Sequence, residues 1–121
     1  MSHRMTQNDA PRAPLGPDAA EVVSRTLQAL ASPTRFRIVD RLRLGALTVG
    51  DIASAIDVEP SAVSHQLRLL REAGIVRGRR VGRSVMYALF DDHLEELIEQ
   101  TIQHAEHVRL AAVNLLKYET E

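Results

Sequence analysis

The chain has 121 residues, the length of one domain, and 45% of them are hydrophobic but only 3% aromatic, so its core has to be built from aliphatic side chains. It has no cysteine, which excludes disulfides, thiolate metal sites and a cysteine nucleophile. No apolar run reaches the length that spans a membrane, and a net charge of −1 leaves any nucleic-acid contact to a local cluster rather than to the whole surface.

Residues 1–17 are polar, carry Pro11, Pro14 and Pro17, and read as a flexible N-terminal arm. They lack the apolar segment of a signal peptide, so a cytoplasmic protein is expected. Residues 18–118 read as a single domain. Its first helix covers 18–31. Ser32-Pro33 is a cap followed by proline at the first helical position, and it starts a second helix that runs to about Arg43 and ends at Gly45. Thr48-Val49-Gly50-Asp51 resembles a capping box and opens a short helix through Ile56. Asp57 and Val58 form a turn. Glu59-Pro60-Ser61 opens the next helix, which runs to Ala73 and stops at Gly74. Two β-rich runs, around 75–80 and 84–90, are joined by Val81-Gly82-Arg83, a hairpin signal. The last helix runs from about Asp92 to Lys117 with no proline or glycine to break it.

Two short helices with a tight turn and then an arginine-rich hairpin make a mainly α fold with a small β wing, a winged helix-turn-helix. The helix after Glu59 is the expected reading helix. Val63, Leu67, Leu69 and Leu70 form its core face, and Ser61, Ser64, His65, Gln66 and Arg68 its exposed face. Glutamine pairs bidentately with adenine, arginine with guanine, and serine with base edges or phosphates. The wing's Arg79, Arg80 and Arg83 suit the DNA backbone or the minor groove. A solvated basic surface is the alternative for this cluster. His65 is read as a DNA contact or a polar surface residue rather than a metal ligand, because it is far in sequence from the other histidines.

The segment 91–107 carries six acidic residues, three of the five histidines and no lysine or arginine. Asp91, His93, His104 and His107 are donors that borderline divalent metals prefer. On one helix, whose apolar face is Leu94, Leu97, Ile98, Thr101, Ile102 and Ala105, the step from His93 to His104 returns to nearly the same side. It also separates the two by roughly 16 Å, too far for one ion. Two antiparallel copies of the helix bring them together. The midpoint between positions 91 and 107 falls within a residue of that between 93 and 104, so both pairs meet at nearly one register. The spacing predicts a homodimer with two equivalent sites, each taking Asp91 and His93 from one chain and His104 and His107 from the other. The alternative is a solvated acidic face on which Asp91 or Asp92 caps the helix.

The blocks ALASPTRFRIVDRL, LTVGDIASAI, SAVSHQLRLLREAGIV and GRRVGRSVMYAL resemble the ArsR/SmtB family of metal-sensing repressors over about residues 20–108. The resemblance implies a winged-helix homodimer built through its N- and C-terminal helices. Such a dimer binds double-stranded operator DNA when metal-free and leaves it when metal binds. In one branch the C-terminal helix carries the pattern D-x-H-x(10)-H-x(2)-[E/H], which Asp91, His93, His104 and His107 match position for position. The branch with a Cys-x-Cys motif in the helix-turn-helix is not matched, since this chain has Leu47-Thr48-Val49-Gly50-Asp51 there. Ser2-His3 is similar to the Gly-His start of the family's nickel/cobalt sensors, whose free amine and histidine are implicated in an octahedral site. Two histidines further along in those sensors are Arg109 and Leu116 here. Four N/O donors alone suit tetrahedral zinc, whereas two further nitrogen donors from Ser2 and His3 suit nickel or cobalt. Nickel or cobalt is therefore the expected cofactor, with zinc close behind. Two other functions are less well supported. One is a winged-helix regulator of a non-metal signal whose histidines only support the dimer. The other is a metallohydrolase, for which no general base in a cleft and no nucleophile motif is evident.

Overall fold

The computed structural model describes residues 12–119. Five helices and a hairpin follow in the order α1 (Pro17–Leu30), α2 (Pro33–Leu42), α3 (Val49–Ile56), α4 (Pro60–Glu72), β1 (Val76–Val81), β2 (Ser84–Leu89) and α5 (Asp92–Glu119). This is the expected winged helix-turn-helix. Residues 1–11, most of the expected arm, lie outside the described residues.

Local chemistry sets the boundaries. The Ser32 hydroxyl accepts the backbone N–H of Arg35 at 3.2 Å, capping α2 with Pro33 in its first turn. At α3 both halves of the capping box form: Asp51 N–H to Thr48 Oγ1 at 3.1 Å, and Thr48 N–H to Asp51 Oδ2 at 3.4 Å. Asp57 ends α3 in the left-handed region, with φ 58°. Aspartate tolerates that conformation better than most residues, and the tight turn into α4 follows from it.

The core draws on α2, α3, α4, the hairpin and α5. Ile38, Val39, Ile52, Val63, Leu67, Leu70 and Ile98 have no more than a trace of exposure. Leu69, expected in the core, is instead 36% exposed. Leu67 and Leu70, three apart, share the inward face, and Leu69 lies about 200° from Leu67 around the helix. On α5, Ile98 is buried and Leu94, Leu97 and Ile102 are half-buried, whereas Thr101 and Ala105 of the expected apolar face are exposed. The Thr101 hydroxyl donates back to the Leu97 carbonyl at 2.7 Å.

The wing is antiparallel, pairing Val76 with Leu89, Gly78 with Tyr87, Arg79 with Met86 and Arg80 with Val85. Side chains alternate across such a ribbon. Val76, Gly78 and Arg80 therefore share the face of Leu89, Tyr87 and Val85, and Arg77 and Arg79 share the opposite one. A Cβ at Gly78 would lie 3.0 Å from Val85 Cγ1 and 3.1 Å from Tyr87 Cε1, so the bare glycine lets those side chains close over the strand. Leu47 adds an isolated bridge to Tyr87, with N–H···O distances of 3.0 and 2.7 Å, which pins the α2–α3 connection against the wing.

Candidate nucleic-acid interface and metal centre

Helix α4 presents its N-terminal half outward. Pro60 opens the helix, and Glu59 contributes no capping side-chain bond. The first-turn N–H groups are thus free of a side-chain cap, an arrangement that favours a phosphate. Ser61, Ser64, His65 and Arg68 are exposed. Arg68 Nη2 lies 3.1 Å from His65 Nδ1. Since a guanidinium only donates, His65 accepts and braces the arginine on the helix surface. Gln66, expected on this exposed face, is half-buried, and its Oε1 accepts from Arg35 Nη1 at 3.0 Å.

Arg79, Arg80 and Arg83 are exposed on the wing. Because adjacent strand residues point to opposite faces, Arg79 and Arg80 do not form one patch. Arg79 stands beside Arg77, Met86 and Ala88 around an open groove, and Arg80 shares the inner face near the tip. Gly82, with φ 63°, makes the turn that carries Arg83 at that tip.

The four candidate metal ligands fall into two exposed pairs on α5. Asp91 stands at the start of the helix and caps it: its Oδ1 accepts the Leu94 N–H at 3.2 Å. Its other oxygen, Oδ2, lies 3.5 Å from His93 Nδ1. The capping role weighed from the sequence is thus real, and it still leaves one oxygen beside an imidazole nitrogen. That separation is close to the spacing of two donors on one tetrahedral ion with bonds of about 2.0–2.2 Å. The His93 side chain is 92% exposed. A shallow depression of about 510 Å³, lined by His93, Glu96, Leu97 and Gln100, flanks it. His104 and His107 lie three turns further along and are exposed too. Among the described residues no three His, Asp or Glu side chains of one chain gather into a site. Among the described residues the four donors stand as two separated pairs, Asp91 with His93 and His104 with His107. Ser2 and His3 lie outside the described residues. Arg109 pairs with Glu106 at 3.0 Å.

One link gave no sequence signal. Arg43, at the C-cap of α2, donates from Nε to Asp40 Oδ1 at 2.6 Å and from Nη1 to Glu99 Oε2 at 2.9 Å. It ties the candidate metal helix to the body of the winged head. The bond to Asp40 raises its pKa, burial opposes that rise, and the charges of Asp40, Glu99 and Glu95 add to it, so the net direction is up. Raising a group already near the top of the scale keeps it charged at every usable pH. Its contribution would be lost only as pH rises through that raised value.

Comparison with known proteins decides the family. A helix-turn-helix domain model matches residues 30–79. The HTH-type transcriptional regulator NmtR of Mycobacterium tuberculosis is 50% identical over 110 residues, covering 91% of this chain and 92% of its own. The chain belongs to the ArsR/SmtB family. It is accordingly a transcription regulator and not an enzyme. A solution structure of apo-NmtR superposes with a TM-score of 0.68 at 50% identity, over 88% of this chain and 89% of that one. A homodimeric winged helix-turn-helix DNA-binding domain from Mycobacterium bovis superposes with a TM-score of 0.71 at 27% identity, over 80% of this chain and 90% of that one. Among the described residues no helix is long and apolar enough to cross a membrane.

Proposed function

We propose that the protein is a cytoplasmic, dimeric repressor that holds operator DNA when metal-free and leaves it when a divalent transition-metal ion binds between its two α5 helices. Nickel or cobalt is favoured, with zinc close behind. The division is an arm, residues 1–17, and a sensing and DNA-binding domain, residues 18–118. The observation that carries the proposal is the separation of Asp91 and His93 from His104 and His107 into two exposed half-sites that one chain cannot join.

Each residue then has a role. Asp91 Oδ2 and His93 of one chain, with His104 and His107 of the other, would hold the ion, while Asp91 Oδ1 keeps the helix start in place. Ser2 and His3 are proposed as further donors that would raise the coordination number toward the six that nickel and cobalt accept. The ion, when bound, would cross-link the two helices. Arg43 passes a shift of α5 to α2 through Glu99 and Asp40. On the DNA side, Ser61, Ser64, His65 and Arg68 would contact the major groove, and the wing arginines, Arg79 and Arg80 on its two faces and Arg83 at its tip, would contact the backbone or minor groove. Gln66, expected in this set from the sequence, is half-buried with its Oε1 held by Arg35 and is left out of it. Release requires metal to bind the DNA-free arrangement more tightly, by a coupling energy of ~1–3 kcal/mol.

A second reading is favoured by one observation, the Asp91 cap: a regulator of a non-metal signal in which the α5 histidines only support the dimer. Fluorescence anisotropy separates the two, using a duplex selected by the protein from random DNA. Metal should release wild-type protein from that duplex, while His107→Gln should bind the duplex normally and fail to release it. If the variant releases DNA at the wild-type metal concentration, the four-ligand site is wrong. A cobalt-loaded absorption spectrum reports coordination number: weak d–d bands support six donors and strong ones support four.

A further inference from the structure

Arg35 stands half-buried at the corner where α1 turns into α2. Its backbone N–H is capped by Ser32, which fixes where the side chain starts. Its Nε donates to the Ala29 carbonyl at 2.7 Å and its Nη2 to the Gln28 carbonyl at 3.5 Å, both in the last turn of α1. Its Nη1 donates to Gln66 Oε1 at 3.0 Å, in the middle of α4. One rigid, planar fork thus joins the end of α1 to the reading helix. A lysine, with a single point of charge, cannot span the three acceptors.

We infer that Arg35 and Gln66 form a clamp that fixes α4 to α1, so that Gln66 sets the spacing of the two reading helices of a dimer instead of pairing with a base. The inference rests on the reading of α4 as the DNA helix and of α1 as part of the dimer interface.

The geometry of Gln66 supports it. To recognise adenine a glutamine must offer its carbonyl oxygen and its amide N–H together to the base edge. Here the oxygen is turned inward and occupied. Gln66 lies three residues after Val63 and four before Leu70, on the flank of the inward face of α4, while its neighbours Ser64, His65 and Arg68 are exposed. At the other end of the clamp, α1 presents Val22, Val23 and Leu27 to solvent and buries only Leu30. If α1 packs against a second copy, the heads are carried on it. A dimer reading two half-sites needs its recognition helices about 34–36 Å apart, one turn of DNA. A small rotation of each head about α1 moves both helices away from that separation, and the clamp opposes it.

The test begins with wild-type protein selecting duplexes from a random DNA pool. If no duplex is selected, the DNA-binding reading fails, a result distinct from failure of the clamp. The selected duplex is then compared with versions carrying one base pair more or one fewer between the half-sites. Gln66→Met, Arg35→Lys and the double variant are measured, with thermal melts confirming that each is folded. Losing a bond to a charged donor should weaken binding to the parent duplex about tenfold. The double variant should be no weaker than the worse single one, because both remove the same link. The variants should discriminate less between spacings than wild type does, with base preference unchanged at every position. If Gln66→Met relaxes preference at one base position and keeps the wild-type spacing discrimination, glutamine reads DNA directly and the clamp is refuted. Variants that keep wild-type spacing discrimination at any affinity refute it as well.

Discussion

Ile38, Val39, Ile52, Val63, Leu67 and Leu70 in the winged head are sealed from solvent, whereas Val22 and Leu27 on α1 and Val113 and Leu116 on distal α5 stand more than half exposed. The two sets are equally aliphatic. They differ in whether a single chain supplies the partner. The head closes its own core, with Ile98 of α5 as the last piece. The flanking helices carry apolar faces that nothing among the described residues covers; His104 and His107 lie just before the uncovered stretch of α5, while Asp91 and His93 stand exposed at the start of that helix. Exposed apolar surface on this scale marks an interaction site. In the function proposed above the partner is a second copy of the chain, and one of the solved structures it resembles is homodimeric. In the proposed function, reading DNA would need only the head, whereas spacing two heads and closing a metal site would both need the flanking helices.

The contrast can be broken from either side. Leu27→Asp should have the largest effect. It forfeits roughly 1.5–3 kcal/mol of burial on each side of a two-fold axis and places a charge in the interface. Sedimentation should show a monomer, and the melting temperature of the head should stay near wild type once dimer dissociation is accounted for. A dimer of unchanged affinity would remove α1 from the interface. Ile38→Ala attacks the other side. A fully buried isoleucine cut to alanine should cost about 2–5 kcal/mol, seen in chemical denaturation as a lower midpoint, whether or not the dimer forms. Loss well below that range would mean the head leans on the dimer for its stability. Arg43→Ala is the mildest, because half-exposed ion pairs of this kind contribute ~0–1 kcal/mol. Stability should hardly change, while the metal concentration needed to release DNA should rise. An unchanged release curve would show that the Arg43 bridge between α2 and α5 carries no coupling.

Much of this was legible in the sequence, because the signals were local. Ser32-Pro33 and Thr48–Asp51 fix helix starts through bonds three residues long, and Gly74 and Gly82 mark a stop and a turn. The spacing of Asp91, His93, His104 and His107 likewise needs only the helical repeat. What was not legible depends on residues far apart. Arg43 meets Glu99, 56 positions away, and Arg35 meets Gln66, 31 positions away. No periodicity announces either bond. Gln66 consequently reads as an exposed base contact, whereas the Arg35 guanidinium at the α1–α2 corner holds its oxygen. The Leu47–Tyr87 bridge is a single residue pair with no strand pattern around it. Leu69 is as hydrophobic as its neighbours, but its helical phase turns it away from the core. The two-residue repeat of a strand puts Arg79 and Arg80 on opposite faces even though they are neighbours in sequence.

The central claim is that each metal site is shared between chains, and a mixed dimer tests it most directly. One chain carries His93→Ala and the other His104→Ala, purified as the heterodimer through two different tags. In the shared-site arrangement both lesions fall in the same site, the one joining position 93 of the first chain to position 104 of the second. The other site keeps all four ligands. Calorimetric titration should therefore find one tightly bound metal ion per mixed dimer, against two for wild type and none for either variant homodimer. A mixed dimer that binds no metal would contradict the account, because it would mean that each site is assembled within one chain.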